Sequence, residues 1–94
     1  MSLDAVRNEI REIDERIIDL IAERQRLAAR IVRLKQEEGL PIRDGPQRKA
    51  VLDRAFTYAV ESRIDPVAVR SIFEILIDMN EERQRGCSGD GNLP

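Results

Sequence analysis

Apolar side chains recur at Leu3, Val6, Ile10, Ile13, Ile17 and Leu20, and again at Leu27, Ile31 and Leu34. The three- and four-residue steps are those of one face of an α-helix. The series has one gap, and Arg24 fills it. Nothing from Ser2 to Glu38 breaks a helix; Ser2 or Asp4 suits its start and Gly39 its stop. The pattern predicts one helix of roughly 35 residues, about 52 Å long. A compact chain of this size has a radius of gyration near 12 Å. Such a helix protrudes, and the rest of the chain is too short to cover its stripe. A second copy packed antiparallel covers it, so the pattern predicts an intertwined homodimer.

The segment "GLPIRDGP" reads as a loop, since Pro41 holds Leu40 extended. Pro46 suits the first turn of a second helix running to about Glu61, with Asp44 or Gly45 near its cap. Its apolar face is Ala50, Val51, Leu52, Ala55, Tyr58 and Ala59. "SRIDP" closes that helix and opens a third, with Asp65 as N-cap and Pro66 at the first position. Val69, Ile72, Phe73, Leu76 and Ile77 form the third stripe, which continues into the amides Asn80 and Gln84. The expected fold is all-α, three helices per chain, in one domain over 1–86. Residues 87–94, "CSGDGNLP", read as a flexible tail.

Composition narrows the chemistry. The 94 residues include 36% charged and 41% hydrophobic residues, and the net charge is -2. That balance gives no overall attraction to nucleic acid or to an anionic membrane. No apolar run reaches the roughly 18 residues of a membrane span, and "MSLDAVRNEI" has no leader-like core. With a single cysteine, Cys87, no disulfide within the chain is expected, which suits a cytoplasmic setting. The chain has no His, so a Ser-His or Cys-His catalytic pair cannot form. No metal or cofactor is expected. An enzyme of this composition works through positioning and charge.

Two readings fit Arg24. It snorkels from the seam, or pairs with Asp19 or Glu23; or it captures a carboxylate in a partly dry site. Lys35 is eleven residues on, close to three full turns, so it points the same way about 16 Å further along the axis. It either complements the helix C-terminus or holds the other end of a small dianion. Arg7 lies about 25 Å from Arg24 and on another face. It is a surface charge, or in an antiparallel dimer it reaches the partner's site. Asn80 and Gln84 are either exposed as their helix leaves the core or aimed at a ligand oxygen. Asp44 is a cap or a functional acid.

Taken together, "AVRNEI", "LIAERQRLA", "IVRLKQEEGLPIRD" and "IFEILIDMNEERQ" resemble the all-helical AroQ class of chorismate mutase, over about residues 3–85. The resemblance implies a three-helix chain in an intertwined dimer that rearranges chorismate to prephenate, on the route to phenylalanine and tyrosine, without a cofactor. It implies that Arg24 binds a substrate carboxylate in its own chain and that Arg7 is donated across the dimer. Lys35 and Gln84 then flank the ether oxygen of the breaking bond. Asp44 sits near the ring hydroxyl, and Asn80 falls where the family has a small polar residue. The family's Asp-x-x-Arg-Glu is here "DGPQR", so Gln47 and Arg48 stand where Arg and Glu are expected. The missing glutamate ordinarily helps to hold the ring hydroxyl, and Arg48 is expected to add positive charge beside the dianion. An isochorismate-pyruvate lyase of similar fold and a non-catalytic helical dimerisation module are the alternatives.

Overall fold

The structure, a computed structural model, describes residues 2–41 and 45–85, the last two by their backbone only. Three helices follow one another: α1 (Leu3–Glu38), α2 (Gly45–Glu61) and α3 (Pro66–Arg85). They fall where the capping residues place them. Ser2 Oγ accepts from the Ala5 N–H at 3.0 Å. Asp65 Oδ1 accepts from Val67 and Ala68 N–H at 3.0 and 3.3 Å. Gly39 closes α1 in the left-handed region at φ 72°, and the Leu40 N–H returns to the Lys35 carbonyl at 2.8 Å. α2 closes in the same way, but there the left-handed position is Arg63, at φ 61°. The Ile64 N–H reaches back to the Ala59 carbonyl at 3.1 Å.

The chain is elongated, 55 × 30 × 16 Å with a radius of gyration of 16.4 Å. α3 packs against both other helices, while α1 and α2 make no close backbone approach among the described residues. The core is small: Ala28 and Val32 of α1, Ala55 and Ala59 of α2, and Ile77 of α3. Alanines at the crossings let the helices approach closely. Val32, fully enclosed, supplies about 1.5–3 kcal/mol of burial. No described helix is long and apolar enough to cross a membrane.

The seam predicted on α1 stays open in the single chain, as expected of a stripe that the rest of the chain is too short to cover, whereas the faces predicted on α2 and α3 need correction. Leu27, Ile31 and Leu34 stay 46%, 43% and 56% exposed, and Leu3 to Leu20 are open along their length. The chain instead buries Ala28 and Val32, with Ile21, Gln25 and Lys35 partly covered on that side. At about 100° per residue these form a second stripe, centred roughly a quarter turn or more from Leu20, Leu27, Ile31 and Leu34. Periodicity revealed the longer, more hydrophobic stripe; alanine is too small to have marked the other. On α2, Ala50 and Tyr58 face outward, Tyr58 at 70% exposure, and on α3 Ile72 is exposed. Phe56, absent from the expected face, is half-buried and lies under the Arg70 guanidinium at 5.5 Å.

The two left-handed caps give opposite expectations. A Cβ on Gly39 meets nothing within 4 Å, so Gly39→Ala costs only the backbone conformation, about 1 kcal/mol. Arg63→Gly relieves the same penalty and stabilises by about 1 kcal/mol, less the extra freedom that glycine gives the unfolded chain. Urea unfolding of both variants checks the signs, and a stabilised Gly39→Ala would contradict the cap geometry.

Candidate active site

The space left between α1 and α2, with α3 as its back wall, is a cavity of about 490 Å³. α1 contributes Arg24 and Lys35 with Leu27, Ala28 and Ile31 between them. α2 contributes Gln47, Arg48, Val51 and Arg54, and α3 contributes Ile77, Asn80 and Glu81. Its size is that of a small-molecule site. Four cations and one carboxylate stand among the described lining residues. The cavity therefore suits an anion carrying more than one negative charge.

Arg24 sits where the two stripes of α1 meet. Leu20, Leu27, Ile31 and Leu34 lie to one side of its direction; Ile21, Ala28, Val32 and Lys35 lie to the other, each set within about 80°. That junction is neither fully covered nor open, so the guanidinium is only partly hydrated. Its Cζ lies 5.6 Å from the centre of the Phe73 ring. Its Nε is buried without a hydrogen-bond partner. Burial, and then the like charge of Arg54, lower its pKa from the usual arginine value. A desolvated, repelled cation with an unused donor is matched by an incoming carboxylate.

Of the other residues singled out in the sequence, Lys35, Arg48 and Asn80 line the same cavity, Lys35 and Asn80 partly covered. Gln84 lies on α3 one turn beyond Asn80; its side chain is outside the described atoms. Asp44 lies outside the described residues. Arg7 is exposed on the first third of α1 and is not part of the cavity of its own chain.

Arg48 has partners that the sequence did not suggest. Its Nη1 donates to Asp78 Oδ1 at 3.0 Å and lies 3.5 Å from Glu81 Oε1. The charge expected to stand uncompensated beside a ligand is thus balanced by two acids of α3. Glu81 and Arg54 were not anticipated as lining residues. Spacing carried a signal for both: Glu81 is four residues after Ile77, and Arg54 is three after Val51. Among the described residues no group of three or more acidic or cysteine side chains could hold a metal ion.

Since Arg24 is destabilised where it stands, Arg24→Met is expected to leave the melting temperature of the ligand-free protein unchanged or higher. It should also abolish the rise that a saturating dicarboxylate gives the wild type, a rise worth about 2.7 kcal/mol at a hundredfold excess over Kd. Thermal denaturation with and without ligand measures both. A large fall in the ligand-free midpoint would make the guanidinium a structural element instead.

Comparison with known proteins agrees with this architecture. The profile of the family described as Chorismate mutase type II matches residues 6–85. A chorismate mutase from Methanocaldococcus jannaschii is 37% identical over 83 residues, covering 88% of this chain and 84% of that protein. The bifunctional chorismate mutase/prephenate dehydratase of Escherichia coli is 28% identical over 79% of this chain, which spans only 19% of that longer protein. A 4-amino-4-deoxychorismate mutase from Streptomyces venezuelae is 28% identical, over 80% of this chain and 73% of its own length. With the family profile covering all three helices, the chain belongs to the type II chorismate mutases.

Proposed function

We infer that this chain is a chorismate mutase, an isomerase that rearranges chorismate to prephenate on the route to phenylalanine and tyrosine. The observation that carries the reading is the pair Arg24 and Lys35, both lining one cavity between α1 and α2, with the Arg24 Nε buried and unpartnered. The reaction is unimolecular. One carbon–oxygen bond breaks as one carbon–carbon bond forms, and no proton is transferred to or from the protein. What the protein supplies is a compact substrate conformer and charge where the transition state polarises.

In this reading Arg24 binds one substrate carboxylate. Lys35 donates to the ether oxygen as negative charge grows there, with Gln84 on its other side. Asn80 contributes a neutral donor on the α3 wall, and Asp44 approaches the ring hydroxyl from the loop. The second carboxylate calls for another cation, and Arg7 of a second copy is the candidate. The exposed run Leu3, Val6, Ile10, Ile13, Ile17 and Leu20 supports an antiparallel homodimer, because a helix with one whole apolar stripe in water is unstable as a monomer. The antiparallel arrangement carries Arg7 toward the partner's cavity. We place the enzyme in the cytoplasm, in keeping with its single cysteine.

The first test is an ultraviolet assay of chorismate disappearance with prephenate identified as product. Pyruvate release from isochorismate, without prephenate formation, would replace this reading with the lyase. Lys35→Ala and Gln84→Ala should each lower kcat by about 100-fold or more while the protein stays folded, since one transition-state donor is worth about 3–4 kcal/mol. A loss below about tenfold for Lys35→Ala counts against its role.

The shared site has its own test. Arg7→Ala and Arg24→Ala chains, each nearly inactive alone, should regain roughly one working site per mixed dimer. Absence of recovery after demonstrated subunit exchange refutes the donation of Arg7 across the interface.

A further inference from the structure

Glu81 is the one acidic residue among the described cavity-lining side chains, and its side chain is only 15% exposed. A carboxylate in a cavity for a dianion is at first sight misplaced. Against either substrate carboxylate it would be repulsive. An ionised carboxylate only accepts hydrogen bonds, so it can be favourable only against a ligand donor. On chorismate, the ring hydroxyl is such a donor and is uncharged. Arg48 makes the placement tolerable: its Nη1 lies 3.5 Å from Glu81 Oε1 and 3.0 Å from Asp78 Oδ1, so the acid enters the cavity already balanced. Glu81 comes from α3 and Arg48 from α2, and both line the same corner.

We propose that Glu81, held by Arg48, is the acceptor for the substrate's ring hydroxyl and so a specificity-determining residue of this enzyme, with Arg48 as its positioning residue. The proposal rests on the chorismate mutase reading and extends it to a residue to which the resemblance assigns no role. It also accounts for "DGPQR". With arginine at position 48, the carboxylate that faces the hydroxyl comes from the opposite helix.

The hydroxyl takes no part in bond making or breaking, so its hydrogen bond is made in ground state and transition state alike. Loss of such a contact raises KM more than it lowers kcat. Steady-state kinetics on chorismate should therefore show kcat/KM about tenfold lower for Glu81→Gln, mostly through KM, with an unchanged melting temperature. Asp78→Asn deletes an equal charge from Arg48 outside the cavity and should lower kcat/KM less than threefold. Arg48→Met should reproduce most of the Glu81→Gln loss, and Arg48→Lys, which restores a cation to the pair, should recover part of it. Glu81→Gln within twofold of wild type overturns the proposal. So do equal losses for Glu81→Gln and Asp78→Asn, which would be a general charge effect. A wild type that turns over no chorismate defeats the underlying reading, an outcome distinct from an active wild type insensitive to position 81.

Discussion

The structure depends on how one helix distributes apolar surface over two stripes. α1 is 36 residues long, and α3 covers only the side that carries Ala28 and Val32. The other stripe, from Leu3 to Leu34, stays largely in water within the single chain. A helix this long cannot be sheltered by two helices of 17 and 20 residues that pack chiefly on each other. The stripes run side by side, and the line between them is the place where a polar head can be dry on one side and still reach a ligand on the other. Arg24 occupies that line. Its partial burial, the nearby Phe73 ring and the repulsion from Arg54 all follow from being there.

Much of this was legible in the residues. Helix boundaries could be read because caps are local chemistry: Ser2, Gly39, Asp65 and Pro66 act on backbone groups within a few positions. The direction of Arg24 relative to Lys35 could be read because helical geometry is fixed. What could not be read was tertiary. Periodicity tells which residues share a face but not which neighbour covers it, so it marked the seam through Leu27 and Ile31, which this chain leaves open, and not the side of Ala28 and Val32 that α3 covers. Arg48 and Asp78 are 30 positions apart, and no local pattern announces their hydrogen bond. The left-handed Arg63 was hidden for the opposite reason: the turn is local, but arginine is not the residue that marks such a position.

The cavity also explains how a chain without histidine can catalyse. Its lining residues offer fixed charge and fixed donors instead of proton carriers, with cations from two helices that do not otherwise approach one another. Such groups act on a polarising transition state without having to reorient during the reaction, provided the framework holds them. The small core at the helix crossings is that framework. Ala55, Ala59 and Ile77 set the spacing of α2 from α3, and Val32 sets that of α3 from α1. The gap between α1 and α2 is what remains, and its width is fixed by the contacts that each of them makes with α3.

Stability and function pull in opposite directions at this gap. Four like charges lining one cavity repel each other, and Arg24 already holds its proton less firmly than an exposed arginine does. Arg48 is relieved by Asp78 and Glu81, both carried by α3, and neither of these contacts involves Arg24. The relief is therefore local to one corner. If all the cations were neutralised by protein acids, the cavity would be more stable and would have no use for an anion. On the proposed reading, pairing Arg48 while leaving the Arg24 Nε without a partner divides the site into a corner for a neutral donor and a floor for a carboxylate. Chorismate carries both kinds of group, and an asymmetric pocket orients it in a way that a uniformly cationic one could not.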